Sequence, residues 1–174
     1  MGSVITAPAQ DSSSSEYLIK AGFIYNFAKL VDWPGTAFSQ SDSPIVIGIL
    51  GADPFGPIID KVFAGKKVND HAFVIKRLKS VADAKDCHVL FVSASETPRI
   101  NDAIRLTKSM PILTISEIPG FANRGGIINL TLEDSKVRFE VNVDAAKAAD
   151  LNISSRLLAL ARIVQPSNDG RKAE

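Results

Sequence analysis

The chain has 174 residues, 45% of them hydrophobic and 22% charged, the composition of one ordinary globular domain; this excludes a disordered, collagen-like or coiled-coil protein. Twenty Lys and Arg against nineteen Asp and Glu leave a formal charge of +1, which is no electrostatic footprint for nucleic acid or for an anionic membrane. The single cysteine, Cys87, excludes a disulfide scaffold without fixing the compartment, and no apolar run approaches the roughly 20 residues that a membrane helix needs.

Met1-Gly2-Ser3 reads as the remnant of an expression tag, so the lack of a leader says nothing about export. Residues 1–15, rich in Pro, Ser and Ala, and residues 166–174, polar with a Gly, are expected to be loose tails. Between them, residues 16–165 form one domain without internal repeat or linker. The serine run before Glu16 offers an N-cap, and Tyr17 to Val31 reads as a helix that Pro34 ends. Tyr17, Ile19, Phe23, Ile24, Phe27, Ala28, Leu30 and Val31 cover an arc of roughly 180° on it, wider than the roughly 100° stripe of a surface helix. Such a helix asks to be covered on two sides, and a homodimer is the expected source of the second cover.

Ile45 to Leu50, the turn at Gly51-Ala52-Asp53-Pro54 and the periodic segment Phe55 to Phe63 read as strand, turn and helix. A second strand is expected over Ala72 to Leu78, a short helix over Ser80 to Lys85 and a third strand over His88 to Ser93. A helix follows, capped at Ser95 and running to about Ser109, then a fourth strand over Ile112 to Ile115. Short continuous apolar strands alternating with helices imply a mainly parallel sheet covered on both faces, a three-layer α/β sandwich.

The end of the chain departs from that alternation. Ile127 to Glu133 and Lys136 to Val143 flank Asp134-Ser135, and a two-residue turn there pairs Leu132 with Val137, Leu130 with Phe139 and Ile128 with Val141 on one face. The other face carries Glu133 with Lys136, Thr131 with Arg138, Asn129 with Glu140 and Ile127 with Asn142. This is the pattern of an antiparallel hairpin at a sheet edge with one core face and one polar face. A helix from about Asp144, broken near Asn152, and a second from Ser154 to Val164 close the chain.

An ordered series of segments resembles the YfiR family: Tyr17-Leu18-Ile19-Lys20-Ala21-Gly22-Phe23-Ile24-Tyr25-Asn26-Phe27, Asp32-Trp33-Pro34, Gly51-Ala52-Asp53-Pro54-Phe55-Gly56 and Gly65-Lys66-Lys67-Val68. Cys87-His88-Val89-Leu90-Phe91-Val92-Ser93, Gly120-Phe121 with Gly125-Gly126, Arg138-Phe139-Glu140-Val141-Asn142-Val143 and Ile153-Ser154-Ser155-Arg156-Leu157-Leu158 continue it. The resemblance implies an exported, non-catalytic regulator without a cofactor. Its best-known relative is periplasmic and represses a membrane-bound diguanylate cyclase, restraining cyclic-di-GMP and biofilm formation. That relative carries disulfide-forming cysteine pairs; Cys87 has no mate, so an internal disulfide switch does not transfer. A cleavable signal peptide is expected just upstream of about Thr6 in the full gene.

The residues contain no catalytic constellation. His71 and His88 are the only histidines and lack metal-ligand spacing, and Cys87 beside His88 on a strand points to the opposite face. Gly51 to Gly56 sits where a phosphate cradle would, but Pro57-Ile58 replaces the Lys and Ser or Thr that a P-loop needs, so a structural turn is the reading. Gly125 and Gly126 relieve the backbone before the hairpin. Three functional candidates remain. Lys20 lies mid-arc on the apolar face of the first helix, either snorkelling to solvent or held in a buried pair. Asn129, Arg138, Glu140 and Asn142 form either a solvated face or the border of a small-molecule pocket, and Phe27, Trp33 and Pro34 form either core or a partner-binding surface.

Overall fold

Ile45, Ile47 and Ile49 bury on one side of the first long strand while Val46 and Leu50 bury on the other, so this strand has no solvent face. A chain with strands of that kind must place helices on both sides. In the computed structural model, which describes residue 2 and residues 10–166, the chain does so. The order is α1 (Gln10–Lys29), β1 (Val31–Asp32), β2 (Ile45–Leu50), α2 (Pro57–Phe63), β3 (Lys67–Val68), β4 (His71–Leu78), β5 (Val89–Val92) and α3 (Ile100–Thr107). There follow β6 (Leu113–Ser116), β7 (Ile128–Glu133), β8 (Lys136–Val141), α4 (Val143–Ala148), β9 (Asn152–Ile153), α5 (Ser155–Leu158) and β10 (Arg162–Ile163). Short 3-10 segments at Gly35–Ala37, Val81–Asp86 and Ala94–Arg99 complete it.

Eight strands form one sheet in the order β10-β8-β7-β6-β5-β2-β4-β3. Neighbours from β4 to β7 are parallel, whereas β3 against β4 and β7 against β8 are antiparallel. On one face Ala21, Ile24 and Phe27 of α1, Ile59 and Phe63 of α2, and Ala146 and Ala149 from the α4 segment share a core with the strands. On the other, Ile100, Ala103 and Ile104 of α3 meet Val46, Leu50, Leu90, Val92 and Phe121. The three-layer α/β sandwich with a mixed, mainly parallel sheet is thus observed.

The hairpin has the expected register, Leu132↔Val137, Leu130↔Phe139 and Ile128↔Val141. Its turn uses positive φ at Asp134 (51°) and Ser135 (63°), the primed geometry whose twist matches the strands. A second primed turn at Asn69 and Asp70 joins β3 to β4. The hairpin is not the last element of the sheet, because β10 lies beyond it beside β8. The expected helix from Ser154 to Val164 stops at Leu158, and Val164 N–H donates to Val141 O instead. That return covers backbone groups that β8 would otherwise leave open at the edge.

The first helix also differs from expectation. It starts at Gln10, ahead of Glu16, and ends at Lys29, where β1 takes over and pairs antiparallel with β9 through Val31↔Ile153. Ile19 is 50% exposed, so the apolar arc is narrower than the sequence suggests. Phe27 and Val31 are buried, and Phe23 packs edge-on against Phe27 and Phe139 within the same chain. The arc therefore needs no second copy to cover it. Of the expected tails, residues 10–15 belong to α1, residue 166 follows β10, and the rest, residue 2 aside, lies outside the described residues.

Gly125 and Gly126 have separate reasons. Gly125 sits at φ +113°, which an L side chain resists, whereas Gly126 is pressed against a ring: a Cβ there would lie 2.2 Å from Phe121 Cε1.

Candidate functional site

Strands β5 and β6 end side by side at Val92 and Ser116. Beyond Ser116↔Asn129 the chain turns away at Glu117, so β7 runs on from Leu130 with no strand on that side. The amino-terminal part of α1 flanks the gap. The result is a cleft of about 620 Å³ whose wall includes Glu16, Tyr17, Lys20, Glu117, Asn129 and Glu140. The cleft opens at the carboxyl end of the parallel strand β6, beside β7.

Lys20 is the centre of the charge arrangement. It is 3% exposed, and its ammonium is held by Glu16 Oε1 one helical turn back at 2.5 Å and by Glu117 Oε2 at 2.6 Å. Of the two sequence readings, the buried pair is the one the structure shows. Tyr17 completes the cluster by donating its hydroxyl to Glu117 Oε1 at 3.0 Å and Oε2 at 3.2 Å. Burial and the adjacent Glu117 carboxylate push the Tyr17 hydroxyl far above its ordinary range, so it stays a donor. Glu117 was not foreseen; a lone acid just past a strand has no periodic signature.

The four polar residues proposed for the hairpin do not share one face to solvent. Asn129 and Glu140 are register partners and both line the cleft. Arg138 is exposed and lies outside the cleft wall. Asn142 is buried and fully used by the backbone: Oδ1 accepts from Ala145 N at 2.9 Å as the N-cap of α4, and Nδ2 donates to Ala122 O at 2.8 Å. Its assignment to ligand binding is corrected to a structural one, because both ends of the amide already have partners.

Phe27 is likewise corrected from partner surface to core. It is fully buried, with its ring 4.9 Å from Phe139. Trp33 is half-buried and Pro34 beside it is half-buried. The Trp33 indole N–H donates to His88 O at 3.0 Å, and its ring meets Phe38 edge-on. Phe38 in turn is stacked between His71 and His88, with centroids 4.1 and 4.4 Å away.

His88 is a satisfied core histidine rather than a ligand. Its Nδ1 accepts from Val46 N–H at 3.0 Å, which leaves the proton on Nε2 to donate to Ala37 O at 2.8 Å. Burial holds its pKa below the ordinary value of 6.5. The unfolded chain therefore takes a proton that the folded one refuses, so His88 leaves stability intact above 6.5 and lowers it as pH falls below 6.5. The melting temperature is expected to drop by a few degrees between about pH 7.5 and about pH 5.5, and a smaller drop in a His88→Gln variant isolates the histidine; equal drops would contradict the assignment. Cys87 is buried beside it, and desolvation pushes the thiol up to about 11, far from a reactive thiolate. Among the described residues no group of three or more His, Cys, Asp or Glu is placed to hold a metal ion, and no helix is long and apolar enough to cross a membrane.

The fold and the cleft define an α/β domain with a mixed, mainly parallel sheet and an ion-pair cluster at its carboxyl edge. Residues 17–162 match the YfiR/HmsC-like family, and the chain belongs to it. A conserved domain protein from Vibrio cholerae O1 biovar El Tor strain N16961 is similar in fold, with a TM-score of 0.54 at 12% identity over 82% of this chain. The chain spans 59% of that protein. No curated protein matches.

Proposed function

We propose that the protein is an exported, non-catalytic regulator that binds the periplasmic part of a membrane-bound diguanylate cyclase and holds it inactive, lowering cyclic-di-GMP. The family match over residues 17–162 carries this reading. A repressor of this kind acts by differential affinity: shifting its target from about 99% active to about 1% requires roughly 10⁴-fold tighter binding to the inactive state. No chemistry on its own side chains is needed.

The partner surface offered is Trp33 with Pro34, the half-buried pair at the start of the loop after β1. Immobilised protein is expected to retain, from membranes of the source organism, a transmembrane protein with a diguanylate cyclase domain. Trp33→Ala is expected to lower the melting temperature as well as binding, since it removes the Nε1–H bond to His88 O and the contact with Phe38. Trp33→Phe, which keeps much of the packing, separates the roles: binding lost with melting nearly unchanged supports an anchor, and binding retained places the surface elsewhere.

A second reading, a periplasmic small-molecule sensor, is favoured by one observation, the cleft of about 620 Å³ at the carboxyl ends of β5 and β6 that Asn129 and Glu140 help to line.

A further inference from the structure

Residues 34–44 form the loop between β1 and β2, and most of it is exposed. Its backbone bonds stay inside it: Ala37 N–H donates to Pro34 O, Phe38 N–H to Gly35 O and Ser43 N–H to Gln40 O. Among the described residues, two hydrogen bonds tie it to the rest of the chain, and both come from histidine. His71 Nδ1 donates to Ser43 O, and His88 Nε2 to Ala37 O at 2.8 Å. The same two rings hold Phe38 between them, at 18° and 12° to its plane. Beside the loop lies a cavity of about 450 Å³ whose wall includes Thr36, Phe38, Ser43, Val46, Cys87 and His88.

The two histidines differ in what a proton does to them. His71 donates from Nδ1 to a carbonyl, a bond that the imidazolium keeps. His88 uses both nitrogens, and its Nδ1 is the acceptor for Val46 N–H at 3.0 Å. A proton on that nitrogen sets donor against donor and leaves an unsolvated charge in a buried site. The ring therefore takes a proton by leaving Val46, which withdraws its support from Phe38 and from Ala37 O together. No neighbouring charge offsets this. The charged groups on the segments around His88 are Asp32, Asp42, Asp70, Lys85 and Asp86; none bonds to either ring, and β2 and β6, on its two sides, carry none. His71, when charged, repels a second charge at His88.

We infer that the loop 34–44 is an acid-released flap: neutral His88 clasps it, and protonation of His88 frees Phe38 and opens the cavity while the core strands stay folded. Trp33 stands at the root of the loop and bonds to His88 O, so the flap gives the partner surface proposed above an environmental input. That consequence rests on Trp33 being the surface, whereas the release is a property of the chain alone.

Amide hydrogen exchange of the full chain, expressed as protection relative to the intrinsic rate at each pH, tests it without a partner. Val46 N–H is the direct reporter, because His88 Nδ1 is its acceptor, and Phe38 N–H reports from the loop itself. Both are expected to be protected at least about a hundredfold less than the amides of Ile49 and Phe91 in the core, the mark of a local opening. An opening that takes up one proton near pH 6.5 gains population by up to about tenfold between about pH 7.5 and about pH 5.5, so protection at Val46 and Phe38 is expected to fall several-fold over that range. His88→Gln, whose amide can accept from Val46 and donate to Ala37 without titrating, is expected to abolish the fall, and His71→Gln to retain it. Exchange of Val46 and Phe38 together with Ile49 and Phe91, protection unchanged between the two pH values, or a fall that survives in His88→Gln or is lost in His71→Gln would each overturn the flap. The first two comparisons are made on the unsubstituted protein and so do not depend on any variant folding.

Discussion

Gly126→Ala is expected to be the most damaging single-methyl change in the protein. The added Cβ would lie 2.2, 2.3 and 2.5 Å from three carbons of the Phe121 ring. Phe121 is fully buried in the core beneath α3, and Gly126 N–H is tied to Phe121 O at 3.0 Å, so neither side can retreat. Overpacking of this kind costs about 3 kcal/mol, which for a domain of this size lowers the melting temperature by roughly 6–12 °C. Thermal unfolding followed by circular dichroism measures it. A variant melting within about 2 °C of the parent would show that the ring can move and that the loop is looser than described.

Removing Glu117 is the second large effect, and it is asymmetric with respect to its partner. Glu117→Ala leaves the Lys20 ammonium, 3% exposed, with Glu16 alone and strips the Tyr17 hydroxyl of its acceptor. Breaking a buried pair from one side costs about 3 kcal/mol because the remaining charge stays buried. Lys20→Met removes the charge that is hardest to bury, fills similar volume and leaves Glu117 with the Tyr17 hydroxyl, so it is expected to change stability by less than about 1 kcal/mol. Urea unfolding at neutral pH distinguishes the two. Losses below about 1 kcal/mol in both variants would mean that the cluster is a surface pair of little consequence, and a loss of about 3 kcal/mol in both would contradict the asymmetry.

Much of this architecture is legible in the chain. Continuous apolar runs such as Ile45 to Leu50 and Val89 to Val92 can only be strands buried on both faces, and Asp134-Ser135 between alternating segments fixes the hairpin register that is observed. Two-residue strands are another matter: β1, β3, β9 and β10 are too short to show a period, and they exist because tertiary neighbours need pairing. Their absence from the sequence reading is what turned the last segment into a helix to Val164.

The site was half legible. Alternation places Asn129 and Asn142 on the face opposite Leu130 and Val141, and their polarity alone leaves that face open as either solvated or the border of a pocket. In a mixed sheet it is covered too, here by the segment from Glu117 to Gly126, whose carbonyls at Ile118 and Ala122 receive the two amides. Asparagine is a good choice beneath such a cover because it can satisfy irregular backbone that a sheet ladder cannot reach. Lys20 signalled a buried pair by its place on an apolar face, and its helical neighbour Glu16 was within reach of that reasoning. Glu117, from the far end of β6, was not.

The regulatory role has one direct measurement. Cyclic-di-GMP is quantified in the source organism with this gene deleted, and again with the gene of the membrane cyclase that the protein retains deleted as well. A binding repressor has no output of its own, so the single deletion is expected to raise cyclic-di-GMP and surface attachment, and the second deletion to abolish the rise. Unchanged cyclic-di-GMP in the single deletion, or a rise that persists without the cyclase, would contradict the account.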